Sequence, residues 1–425
     1  MSDWRVWARI GVLSFGGPAG QIALMHRELV ERRGWIDEAR FLHALNFCMI
    51  LPGPEAMQLA TWVGWRLHGV KGGLAAGLLF VIPGALVILA LSVLYGFAAR
   101  LDWFAALFLG VKAAVLAIVA QALLRIAGRS LDTVFKRGLA AAAFAALFVF
   151  DLPFPLVVLG AGAIGMVVAA LHPQWLAIRL AEGAAQGPRP WRASLRAVAV
   201  WGLVWAAPMA AILATLGPGH KLWEIGAFFS RLAVVTFGGA YAVLAYMAQE
   251  AVHGRHWLAA AEMADGLGLA ETTPGPLILV TQFVGYLAAF RAPEPFSPLV
   301  AGLLGALLTT WVTFAPCFLW IFALAPWIER LEHARRLKGA LSALTAAVVG
   351  VVANLAVWFV LHVLFARTAE LHFGPLRLFA PEWTSFDWRA GAIALGAAVL
   401  IFAREWGVIP VLAVSALAGL ALSHV

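Results

Sequence analysis

The chain has 425 residues, of which 63% are hydrophobic and only 12% charged, with a mean hydropathy of +0.89. That composition excludes a soluble globular domain and indicates an integral membrane protein. The formal net charge of +8 is no sign of nucleic-acid binding, because the basic residues are scattered among loops between apolar stretches and do not form one soluble face.

In chain order, Met1 leads directly into the amphipathic WRVWARIGVLSFGG. No small-residue cleavage site follows, so the first helix is expected to be retained. Apolar runs such as 72–99 and 339–365 exceed the roughly 20 residues needed to cross about 30 Å of hydrocarbon. These runs do not alternate apolar and polar residues, which favours an all-α polytopic helical bundle over a barrel. With a cytoplasmic N-terminus and about thirteen transmembrane segments, three basic segments fall on the cytoplasmic side, as the positive-inside rule requires. They are 124–138 (Arg125, Arg129, Lys136, Arg137), 173–197 (Arg179, Arg189, Arg192, Arg196) and 328–338 (Arg330, Arg335, Arg336, Lys338). The segment 26–40, with Arg27, Arg32, Arg33 and Arg40, runs against that assignment. Residues 366–386 read as a polar external excursion.

A repeat emerges when 9–54 is compared with 231–276 at a shift of 222. Arg9 meets Arg231, Phe15-Gly16-Gly17 meets Phe237-Gly238-Gly239, and Glu28, Arg33 and Trp35 meet Glu250, Arg255 and Trp257. Pro52-Gly53-Pro54 meets Pro274-Gly275-Pro276, and 16 of the 46 positions are identical. Chance identity in sequence this apolar is on the order of a tenth, and apolar bias cannot supply matched glycines, prolines, tryptophans and charges. At a shift of 233, Pro83 meets Pro316 and Gln121 meets Asn354. The expected organisation is a first repeat at 1–172, a linker at 173–220 with one extra span, and a second repeat at 221–425. Six segments plus one linking span place the second half upside down, the inverted-repeat plan of many transporters.

Two prolines around a glycine would cripple a continuous helix, so each PGP triplet reads as a point where one half-helix stops and another starts. Such breaks are tolerated at membrane depth only where they are buried in protein or line a polar cavity, and helix N-termini there receive anions. The FGG glycines permit close approach of backbone to a ligand, although glycines serve helix packing equally well. Arg9 and Arg231 suit either an oxyanion clamp or snorkelling to an interface. The candidate substrate site therefore comprises Arg9, Phe15, Gly16, Gly17, Pro52, Gly53, Pro54 and Gln58 from the first half. From the second half it comprises Arg231, Phe237, Gly238, Gly239, Thr272, Thr273, Pro274, Gly275, Pro276 and Gln282.

Glu55 and Glu271 flank the breaks as candidate proton carriers or helix caps, and Lys112, Gln121 and Asn354 are candidate path residues or interhelical hydrogen-bonders. Cys48 and Cys317 lie in apolar stretches and offer neither a disulfide framework nor a cysteine metal site. His26, His43, His253 and His256 lack metal-ligand spacing, and neither HExxH nor GxSxG occurs. No metal, cofactor or catalytic residue is expected.

The stretches SFGGPAGQIALMHRELVERRGW (14–35), LPGPEAMQLATWVGWRLHGVKGG (51–73), TFGGAYAVLAYMAQEAV (236–252) and DGLGLAETTPGPLILVTQFVGY (265–286) closely resemble the long, two-domain form of the chromate ion transporter family. The resemblance implies a non-enzymatic secondary transporter that exports chromate across the bacterial inner membrane, with sulfate as a look-alike anion. Membrane lipid and a homodimer are the other partners to consider, and nucleic acid is not among them. The alternatives from the residues themselves are a carrier or channel for another anion, or an intramembrane enzyme acting on a lipid-linked substrate. The enzyme would need clustered carboxylates or a nucleophile with its base, which the sequence does not display.

Overall fold

The computed structural model describes residues 3–15, 17–49, 51–99, 101–178, 191–235, 240–328, 334–374 and 376–422. The chain opens with α1 (Trp4–Leu13), leaves helix at Ser14 and Phe15, and re-enters it in α2 (Gly17–His26). A π-turn (Arg27–Glu31) carries the chain to α3 (Glu38–Cys48), which starts where the Asp37 side chain accepts from Arg40 N. The first PGP break separates α3 from α4 (Glu55–Ala98). Within α4, His68 and Gly69 depart from helical geometry, so α4 is two arms joined by a sharp turn.

Glycine lets those arms touch. A Cβ on Gly64 would lie 2.4 Å from Gly72 O, and one on Gly72 would lie 2.3 Å from Gly64 O, far inside van der Waals contact. After the hairpin come α5 (Asp102–Ser130), α6 (Val134–Phe148) and α7 (Phe154–Leu171), followed by α8 (Trp191–Thr215).

The same series then recurs. α9 (Lys221–Val235) and α10 (Ala240–Gln249) lead into a second π-turn (Glu250–Gly254), and α11 (Ala260–Thr272) precedes the second PGP break. A short 3-10 turn (Leu277–Leu279), α12 (Val280–Arg291), α13 (Pro298–Leu324) and α14 (Arg335–Leu364) follow. The chain ends with α15 (Trp388–Ala398) and α16 (Val408–Leu422). The repeated Glu, Arg and Trp of the sequence hold the π-turn corners. Arg33 lies over the Trp35 ring at 5.3 Å and Arg255 over Trp257 at 5.2 Å. Buried Glu28 pairs with Arg32 at 2.7 Å, whereas Glu250 stands 3.7 Å from Arg255.

Among the described residues, six helices are each long and apolar enough to cross a membrane: α4, α5, α7, α8, α13 with its short extension, and α14. Shorter apolar helices cover Leu277–Arg291, Trp388–Ala403 and Val408–Leu422. This is a polytopic helical membrane protein. α13 is the most enclosed of the six, with 72% of its apolar window buried, and α8 has none buried. α8 attaches from outside, where Trp201 stacks on Phe318 and Trp311 Nε1 donates to Val204 O. Large apolar side chains such as Leu86, Phe97 and Leu203 are exposed, as a lipid-facing surface requires.

One element departs from the all-α expectation. Residues 366–386 contain an antiparallel hairpin, β1 (Thr368–Phe373) with β2 (Leu376–Pro381), in register Thr368↔Pro381. It is tied down at the end of α6, where Arg377 N donates to Val149 O and the Arg377 guanidinium pairs with Asp151 at 2.7 Å.

A valine at Gly72 must push the α4 arms apart, at a cost of about 2–4 kcal/mol. Gly72→Val is expected to lower the melting temperature of the detergent-solubilised protein clearly, while Gly128→Ala, with open space around it, leaves it unchanged.

Candidate functional site

The helices that lead into the two PGP breaks are too short to span a bilayer. α3 has 11 residues and α11 has 13, so they extend roughly 17 and 20 Å at 1.5 Å per residue. Both breaks are buried, and both centre on a glycine with positive φ: +117° at Gly53 and +90° at Gly275. Residues with a Cβ rarely adopt that backbone. The flanking prolines stop the preceding helix and leave the chain extended before the next one.

Each break rests on a long helix of the other half. A Cβ on Gly84 of α4 would meet Pro274 O at 2.2 Å, and one on Gly53 would stand 3.0 Å from Cys317 Sγ of α13. Gly84 follows Pro83 and Cys317 follows Pro316, so the contact is made twice in the same way, each break beside the proline of the opposite helix. The second break is also hydrogen-bonded to the first half. Gly275 N donates to Ser14 O at 2.9 Å, and Gln21 Nε2 donates to Gly275 O at 2.6 Å. Ser14 and Gln21 are buried, and they join the α1–α2 break directly to the second PGP triplet. In the first break, Gln58 Nε2 donates to Pro52 O at 2.6 Å.

The sequence-derived residues fall into three groups. Pro52, Gly53, Pro54, Gln58, Thr273, Pro274, Gly275, Pro276 and Gln282 are buried at or just after the breaks, Gly17 is buried at the start of α2, and Phe15 and Thr272 are half-buried. The Gln58 and Gln282 Oε1 atoms lie in the interior without a hydrogen-bond partner among the described residues. Thr272 and Thr273 cap α11 by donating to Leu269 O and Ala270 O. Gly16, Phe237, Gly238 and Gly239 lie outside the described residues.

Arg9 and Arg231 form the second group. Both are exposed, while their helices bury Val6, Trp7 and Ile10 in α1 and Phe228, Phe229 and Leu232 in α9. The apolar residues claim the core-facing sides, and a long cationic side chain on an exposed side reaches an interface readily. Both arginine side chains therefore leave from the exposed sides of their helices.

The third group lies along the helices. Glu55 is half-buried and opens α4, where a carboxylate is favoured by the helix N-terminus. Glu271 is 5% exposed near the C-terminal end of α11. Gln121 is half-buried on α5. Asn354 of α14 sits away from the breaks, lining a cavity of about 30 Å³ with Gln249, His253, Trp358 and Arg377 under the hairpin. Lys112 pairs with Asp265, which also accepts from Tyr95. Asp265 and Tyr95 were missed in the sequence, although an aspartate amid MADGLGLA is the kind of intramembrane carboxylate that signals function.

Broken helices joined across two halves of a polytopic bundle are a plan found in many membrane transporters. The chromate transporter family model matches residues 4–166 and 223–420, and the chain belongs to that family. It is 33% identical over 363 residues to a chromate transport protein of Pseudomonas aeruginosa, covering 83% of this chain and 80% of that one. It is 29% identical over 345 residues to a chromate transport protein of Cupriavidus metallidurans, covering 81% and 78%. A probable chromate transport protein of Synechococcus elongatus is 28% identical over 355 residues, with 82% of each chain covered. No solved structure gives a significant match.

Alanine at Gly275 would face both an unfavourable φ and Gly84 Cα at 3.4 Å. Gly275→Ala is expected to reduce chromate uptake into vesicles at least about tenfold while the protein stays monodisperse in detergent, because strain at such positions costs about 1–3 kcal/mol. Arg9→Ala should remain within about twofold of wild type, as expected of an exposed interfacial residue.

Proposed function

We propose that this protein exports chromate from the cytoplasm across the bacterial inner membrane, with sulfate competing for the same site. The observation that carries this reading is the reciprocal packing of each PGP break on the proline-bearing helix of the other half, Gly53 with Cys317 and Gly275 with Gly84. The names of the relatives supply the anion. In this reading residues 1–172 and 221–425 are inverted repeats joined through 173–220, and α8 is the linking span that inverts the second half. The N-terminus is cytoplasmic. Exchange of conformation between the two halves opens the breaks to one side and then the other. The substrate binds between the breaks, held by backbone N–H groups at the starts of the half-helices and by the side-chain amides of Gln58 and Gln282.

Export also follows the electrical gradient. A dianion leaving a cell with a negative interior gains about 2.3 kcal/mol per charge per 100 mV, so the potential alone can drive the flux.

Labelled chromate uptake into everted membrane vesicles tests this directly, with membrane potential and pH gradient imposed separately. Uptake that rises with an inside-positive potential and falls on addition of sulfate is expected. No uptake above that of vesicles lacking the protein, under any gradient, would remove the chromate export reading.

A further inference from the structure

On the helix α11 that leads into the second break, the helix α4 that follows the first, and α5 beside them, the bundle holds a charged cluster that joins the two halves. Lys112 Nζ of α5 stands 3.5 Å from Asp265 Oδ1 of α11, and Tyr95 OH of α4 donates to Asp265 Oδ2 at 2.7 Å. Asp265 is 6% exposed, and its Oδ1 has no hydrogen-bond donor among the described residues, only the ammonium at that longer distance. Lys112 is less enclosed, with 19% of its side chain exposed. The pair is thus loosely closed, with its cationic end the more accessible.

The internal repeat does not require these charges. Asp265 aligns with His43, Lys112 with Thr345, and Tyr95 with Ile328, so the equivalent positions in the other pairing carry no lysine and no carboxylate. A buried ion pair adds little to stability compared with apolar packing. Its presence on one side only points to a task beyond holding the bundle together.

We propose that Lys112 is a binding cation for the tetrahedral dianion and that Asp265 is its resident counter-ion, displaced and protonated when the anion binds. This rests on the oxyanion-transport reading given above. Tyr95 positions the carboxylate through Oδ2 and leaves Oδ1 free to part from the ammonium. When the anion takes the place of Asp265, the carboxylate takes up one proton from solvent, so the dianion does not lie beside a second buried anion. Anion binding is then linked to uptake of one proton and strengthens as pH falls.

The groups that act on Asp265 are few. Lys112 comes from α5, Tyr95 from α4, and Glu262 lies one turn earlier on α11. Glu262 is held by Arg291 of α12. The neighbouring π-turn brings Glu250, which is paired with Arg255, and His253. Helix α14 carries its ionisable side chains at its two ends, Arg335, Arg336 and Lys338 at one and His362 at the other, and α16 carries none.

Equilibrium binding of labelled chromate to the purified protein tests the switch, over a pH range in which chromate stays the dianion. Asp265→Asn is expected to bind at least about tenfold tighter than wild type at the alkaline end and to lose its response to pH, and Lys112→Met to bind at least about tenfold weaker. Unchanged affinity in Lys112→Met, or a wild-type pH response in Asp265→Asn, would overturn the proposal. If either single variant fails to elute as a monodisperse species, the neutral pair Lys112→Met/Asp265→Asn carries the test. It must bind at least about tenfold weaker than wild type without a pH response, and wild-type binding by it would overturn the proposal equally. Wild-type protein that neither binds nor transports chromate would remove the oxyanion reading itself, whereas binding by wild type and Lys112→Met alike removes the counter-ion switch alone.

Discussion

Hydrocarbon offers no hydrogen bonds, so every backbone N–H and C=O of this chain must find its partner inside the protein. A helix meets that demand along its length and fails it at its ends. By interrupting short helices at Ser14 and at the two PGP triplets, the sequence creates such ends in the bundle interior, and the fold is arranged around satisfying them. Ser14 O takes Gly275 N, Gly275 O takes the Gln21 amide, and Pro52 O takes the Gln58 amide. Gln21 and Ser14 belong to one half and Gly275 to the other, so repairing the break also fastens the halves together.

The prolines in the long helices belong to the same arrangement. Pro83 and Pro316 lie inside α4 and α13, where each removes a donor and disturbs the preceding turn. The residue after each proline touches the break of the opposite half, through the small side of Gly84 in one case and the Cys317 thiol in the other. Irregular backbone is thereby packed against irregular backbone, and straight helices remain free to face lipid. The proposed rocking of one half against the other would exchange the roles of these two equivalent contacts.

Much of this was legible in the sequence because glycine and proline report backbone geometry directly. The PGP triplets indicated breaks at 52–54 and 274–276, and both glycines have positive φ there. The exposure of Arg9 was also readable: Arg5 and Arg9 are four residues apart on α1, while Val6, Trp7 and Ile10 form its apolar side. The π-turns were hidden because the matched Glu, Arg and Trp announce a shared structure without specifying its hydrogen bonding. The β-hairpin was hidden because its strands are short and its anchor, Arg377 on Asp151, joins residues far apart in sequence. The pairing of Lys112 with Asp265 is likewise tertiary, since no periodicity within α5 or α11 brings those two helices together.

That pairing sets the limit of the symmetry. Backbone geometry is repeated across the halves, with breaks, corners and helix prolines in matching places, whereas charge is not, since His43 and Thr345 stand where symmetry would put a second aspartate and lysine. If the halves exchange conformations, the backbone contributes similarly to both arrangements, and the ion pair contributes to one more than the other. Separating such a pair in a medium of low dielectric is costly unless another anion takes up the cation and a proton the carboxylate. In the proposed mechanism the repeated backbone thus provides the motion, and the unrepeated charges decide what must bind before the motion can occur.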